Sequence, residues 1–132
     1  TTTRTTRRWT PTITPCRVVD TRGPIGPSGG PALVSGTSRE FPIAGHCGVP
    51  ADARAVSVNV TETGSTSYGD LRLYPTGSQA PNASTINWAQ GRTRANNAVV
   101  GIGTGGSISV WCVMGLPTAT THAIIDVNGY FK

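Results

Sequence analysis

The sequence is poor in the residues that build helices and charged surfaces. Lys132 is its only lysine, Glu40 and Glu62 are its only glutamates, and charged residues make up 13% of the 132-residue chain. No ten-residue stretch carries helical apolar spacing, so a helical domain is excluded. No run of eighteen apolar residues exists, so no helical membrane span is expected. Cysteine is scarce too, at three residues, with neither a Cys-x-x-Cys pair nor a Cys/His cluster of zinc spacing. His46 adjoins Cys47, but neighbours on a strand point to opposite faces and do not chelate together.

Catalytic residues are equally sparse. The bases available are His46 and His122, and no Gly-x-Ser-x-Gly elbow is present. The six acids, Asp20, Glu40, Asp52, Glu62, Asp70 and Asp126, are spread singly along the chain. The reading is therefore a protein without catalytic residues, metal or cofactor. A calcium site on Asp126 and Asn128 lacks further acid ligands nearby. Net charge is +5, but Arg4, Arg7 and Arg8 supply much of it from the first eight residues. The body is nearly balanced, and Arg92 with Arg94 is its densest basic patch, which argues against a nucleic-acid partner.

Threonine, serine, asparagine, 17 glycines and 10 prolines are abundant, the mark of many turns and an all-β surface. Alternating apolar residues predict strands at 16–20, 39–43, 54–62, 70–74, 84–88, 95–102, 107–114 and 122–131. The clearest is 54–62, with Val56, Val58 and Val60 on one face. Pro42 marks its strand as an edge. Gly103-Thr104-Gly105-Gly106 predicts a hairpin between the strands on either side. About eight antiparallel strands without helix predict a two-sheet β-sandwich, jelly-roll-like, over residues 16–132.

Residues 1–15 read as an extended Thr/Arg-rich arm ahead of that domain. Trp9 and Ile13 fall on one face of it, as anchors for assembly on the chain's own domain or on a neighbour. Tyr74 and Trp111 fall opposite the aliphatic faces of their strands, as rings that could stack on a sugar. Asp20, with Arg22 close by, and Asp126 stand at strand ends, where an arginine would pair a buried carboxylate; Arg17 is the other candidate. Cys112 shares a face with Ile108, Val110 and Met114 and reads as a core thiol. Cys16 and Cys47 sit at element ends and are expected to bridge, the competing pairings being Cys112 with either of them or with another chain.

The motifs Cys-Arg-Val-Val-Asp-Thr-Arg at 16–22, Gly-Gly-Pro-Ala-Leu at 29–33 and Cys-Gly-Val-Pro-Ala-Asp-Ala at 47–53 are distinctive. Val-Ser-Val-Asn-Val-Thr at 56–61, Leu-Arg-Leu-Tyr-Pro-Thr-Gly at 71–77 and Ser-Thr-Ile-Asn-Trp at 84–88 follow. Ala-Asn-Asn-Ala-Val-Val at 95–100 and Ile-Asp-Val-Asn-Gly-Tyr-Phe at 125–131 complete the set. In this order the chain resembles a bacterial secreted β-domain, common in acidobacterial and actinobacterial exported proteins. The resemblance spans roughly residues 15–131. It implies export, a non-catalytic surface role and cysteines at the positions of Cys16 and Cys47. Secretion also agrees with the composition, and the start at Thr1 rather than Met with removal of a leader. The Thr/Arg arm departs from the family pattern and points to assembly with copies of itself. The expected function is a structural or adhesive surface module, or alternatively a carbohydrate-binding module. Its expected partners are copies of itself or an extracellular polysaccharide.

Overall fold

The computed structural model describes residues 9–132; expectations that fall on residues 1–8, and on the side chain of Trp9, lie outside the described residues. Among the described residues nine strands form in chain order: β1 (Trp9–Asp20), β2 (Leu33–Val34), β3 (Thr37–Pro42), β4 (Ala55–Thr63), β5 (Gly69–Pro75), β6 (Ile86–Trp88), β7 (Arg94–Gly101), β8 (Ser107–Met114) and β9 (Thr120–Phe131). They make two antiparallel sheets. The first has the order β1-β9-β4-β7, with β2 pairing the start of β9 beyond the end of β1; the second has the order β3-β8-β5-β6. The molecule is an all-β sandwich.

Strand alternation sets the core. β4 alternates strictly, with Val56, Val58 and Val60 fully buried and Ser57, Asn59 and Thr61 half-buried on the other side. Leu71, Ile108, Val110 and Cys112 face them from the second sheet, and Phe41 and Ile43 close the edge. Burying these side chains is worth roughly 1.5–3 kcal/mol each before conformational entropy is set against it.

Two sequence expectations need correction. The glycine run at 103–106 does not close a hairpin. β7 pairs with β4 and β8 lies in the other sheet, so this connection crosses between layers. The glycines serve the crossing itself: a Cβ on Gly103 would fall 2.1 Å from the Thr76 carbonyl oxygen. Gly105 and Gly106 take positive φ of 71° and 73°. The second correction concerns the boundary at residue 15. β1 is one strand from Trp9 to Asp20 across that point, and its pairing with β9 of the same chain is interrupted only between Pro11 and Cys16 and between Arg17 and Val19. Ile13 is half-buried against the chain's own core, so it anchors the domain rather than a free arm.

The pairing of β1 is uneven. Trp9, Thr10 and Pro11 lie opposite Phe131, Tyr130 and Gly129, and the next pair is Cys16 with Val127. The bulge between Pro11 and Cys16 separates the first turn of pairing from the rest of the strand. Cys16 forms a disulfide with Cys47, as the sequence suggested, and Cys112 is a buried free thiol. A stable disulfide indicates an oxidising environment. No helix among the described residues is long and apolar enough to cross a membrane.

Candidate functional site

The outer face of the second sheet carries an ordered aromatic platform. Trp111 sits on β8, with Ser38 of β3 opposite on one side and Arg72 of β5 on the other. Tyr74, two residues along β5, reaches across β8 so that its hydroxyl lies 2.6 Å from Ser38 Oγ. Beneath that bridge Ser109 is buried and bonded to Thr76 at 2.9 Å. Arg72 Nε donates to Asp70 Oδ1 at 3.1 Å, and its Nη1 donates to the Pro81 carbonyl at 3.3 Å. Alternation thus brings Tyr74 and Trp111 to one half-buried outward face, as the sequence suggested, and cross-strand contacts fix the groups around them. Such a face offers a ring to stack on and polar groups in fixed positions beside it.

The second feature lies where the two sheets part. An open groove of about 470 Å³ runs between β6 and β7, lined by Thr85, Asn87, Trp88, Arg94 and Asn96 among others. Among the described residues β7 is the outermost strand of its sheet, so every second backbone amide and carbonyl along it faces outward without a ladder partner there. Asn96 partly covers this edge. Its Oδ1 accepts from the Asn97 amide at 3.0 Å, and its Nδ2 donates to the Thr85 carbonyl at 2.9 Å, tying the two sheets together across the groove mouth. The Trp88 ring is buried, its Nε1 donating to the Ser67 carbonyl at 2.9 Å.

Beside the groove lies a residue that the sequence reading left among the scattered acids. Glu62 continues the inward face of Val56, Val58 and Val60, and its register partner on β7 is Arg94. It is fully buried, and neither carboxylate oxygen has a hydrogen-bond partner among the described residues. Burial pushes its carboxyl up to about 7, because ionisation there goes uncompensated. Arg94 is exposed at the groove wall, with no ion pair among the described residues. Counting two residues on from Val60 would have exposed Glu62 in the sequence, since the alternation does not stop at the last valine.

The strand-end charges are paired within the fold. Asp20 accepts from Arg22 Nε and Nη2 at 3.0 and 2.9 Å and from the Arg22 backbone amide. Those bonds, with the nearby Arg17 charge, hold its carboxyl down near 2 against some desolvation. Asp126 pairs with Arg17 at 2.9 Å rather than with Arg22, and Arg17 also reaches Asp20 at 4.0 Å, so this arginine stands between the two acids. Cross-strand register decides this, because Arg17 stands directly opposite Asp126. His122 Nδ1 lies 2.9 Å from Thr21 Oγ1, which also accepts from the Ala123 amide; together they fasten the end of β1 to β9. His46 is exposed in the loop before Cys47. Burial pushes the Cys112 thiol up to about 12, an inert form at neutral pH. Among the described residues no three His, Cys, Asp or Glu side chains stand close enough to hold a metal ion. No protein-family model and no curated protein matches the chain.

Proposed function

We propose that this protein is a secreted, non-catalytic surface module that builds structure by adding a strand from one copy to the sheet edge of the next. The observation that carries the reading is the open edge of β7. It is eight residues long and free of proline, whereas β1 carries Pro11 and Pro15, β3 ends on Pro42 and β6 is three residues long. Proline and shortness are the ordinary protections of a sheet edge, and β7 has neither. The donor is the N-terminal segment. Threonine suits an extended strand, and the bulge after Pro11 leaves the first residues of β1 separable from the remainder. The resemblance to exported bacterial β-domains and the disulfide support a location outside the cytosol.

Deletion of residues 1–12 tests this. Ile13 and the residues after the bulge remain, so far-UV circular dichroism should be unchanged. Multi-angle light scattering should show large species from the full chain and monomers from the shortened one. Equal assembly by both proteins would end the proposal.

A second reading rests on the Trp111 platform: a module that adheres to extracellular polysaccharide. It expects saturable binding on a glycan array, with Trp111→Ala lowering affinity by roughly tenfold to a hundredfold, the usual worth of one stacked ring. An array without hits removes this reading and leaves assembly untouched.

A further inference from the structure

We infer that the outer face of the second sheet is a track for a neutral, extended polysaccharide, and that Tyr68 is its far subsite, at the other end from Tyr74 and Trp111. The inference rests on the polysaccharide reading of this face. It adds the class of glycan, the direction in which it lies and a third ring.

Alternation along β5 turns Asp70, Arg72 and Tyr74 outward, and Tyr68 continues that face one residue before the strand begins. Level with it, just past the end of β8, is Gly115, whose amide donates to the Tyr68 carbonyl at 3.0 Å. A Cβ on Gly115 would collide with the Tyr68 ring, so the glycine leaves the space in which that ring lies. Both β5 tyrosines therefore lean onto β8, Tyr74 towards Ser38 and Tyr68 onto Gly115. Trp111 stands between them along the strand. From Ser109, level with Tyr74, to Gly115 is about 20 Å at the usual rise of a strand. That length holds several sugar rings laid end to end. A straight row of this kind suits an extended chain, since a coiled one leaves the row after its first ring.

The third ring is presented to solvent. Tyr68 is 64% exposed, the only exposed Tyr, Phe or Trp among the described side chains. Covering a glycine accounts for the part of the ring that rests on Gly115, not for the part left in water. Polar groups lie between the rings. Asp70 accepts from Arg72 through Oδ1, which leaves Oδ2 to accept from a hydroxyl, and exposed Asn87 stands level with Asp70 on β6. A pyranose needs this alternation, because it offers apolar C–H faces to a ring and hydroxyls around its rim.

The charges on this face select against an acidic glycan. Asp70 and Arg72 offset one another at 3.1 Å. Glu40, level with Ser109 on β3, is exposed and has no cation paired to it among the described residues. Arg72 is the only cation on the outward positions of these four strands, since Arg39 turns to the carbonyls of the loop beside it. A polyanion laid along β8 meets the Glu40 carboxylate with no free cation to offset it, whereas a neutral β-linked chain meets no such cost.

The test is isothermal titration calorimetry of the full chain with cello-oligosaccharides and N-acetylated chito-oligosaccharides of two to six sugars, and with oligomannuronate as the acidic counterpart. Affinity for a neutral series should rise with length and level off once the chain covers the track. Tyr68→Ala should weaken the hexamer about tenfold and leave the shortest oligomer that binds unchanged, whereas Trp111→Ala should weaken both. Tyr68→Phe should bind as the wild type does, because the ring and not the hydroxyl makes the contact. Far-UV dichroism and urea unfolding of each variant separate binding from folding. A Tyr68→Ala protein with a lower urea midpoint and full affinity for the hexamer overturns the inference, since the ring then only covers Gly115. Tighter binding of oligomannuronate, or affinity independent of length, overturns it too and leaves the Trp111 platform standing. If neither neutral series binds while a glycan array gives other hits, the choice of glycan is wrong and the inference fails; if the array is also empty, the polysaccharide reading itself fails.

Discussion

At the residue scale, the chain contains one carboxyl that opposes its own burial and one that welcomes its surroundings. Glu62 has its folded-state value raised from 4.5 to about 7. The folded state therefore holds a proton that the unfolded state releases. Stability is full below about pH 4.5 and declines as pH rises through 7, by about 3 kcal/mol in total. Asp20 runs the other way, held near 2 by Arg22, so its contribution is present above about pH 4 and fades on acidification. That pair is partly exposed and worth about 1 kcal/mol or less. Urea unfolding across pH should give greatest stability between pH 4 and 5. Glu62→Gln should flatten the alkaline limb and leave the acid limb in place. A wild-type profile flat from pH 5 to 9 would contradict an unpaired Glu62. The residue was legible in the sequence through the β4 alternation. Its lack of a partner was not, because Arg94 stands opposite it in register yet makes no ion pair with it.

At the element scale, the long loop from Thr21 to Pro31 shows how a segment without regular structure is held. The Arg39 guanidinium donates to the carbonyls of Gly26, Gly30 and Pro31 while lying 4.8 Å over the Phe41 ring. Nothing local in the sequence said that a β3 arginine would fasten it. The Cys16–Cys47 disulfide closes a span of 31 residues around the same region. The paired substitution Cys16→Ala, Cys47→Ala should cost about 3–4 kcal/mol, read as a lower urea midpoint with an unchanged β-type spectrum. A midpoint that does not move would mean that β1 and the Cys47 loop are held by other contacts alone.

At the scale of the whole molecule, both sheets contribute to one continuous core among the described residues. Unfolding should therefore be a single transition, with far-UV dichroism and the fluorescence of buried Trp88 coinciding. Separated midpoints would show that one sheet melts before the other. The assembly proposed above draws on this same architecture, since opening a two-layer sandwich at β6 and β7 leaves a cleft that an added strand can fill.

The amino-acid sequence alone determined the class of the fold and the inward faces of its strands, because side chains alternate every second residue whatever their partners. It also placed Tyr74 and Trp111 outward, kept Cys112 in the core and suggested the pairing of Cys16 with Cys47. Tertiary structure decided which strands are neighbours. β7 and β8 parted into different sheets although glycines join them, Asp126 took Arg17, and Glu62 was left beside an open edge. The physical reason is one of range: alternation and turn chemistry act over a few residues, while strand order and charge pairing depend on contacts made across the whole chain.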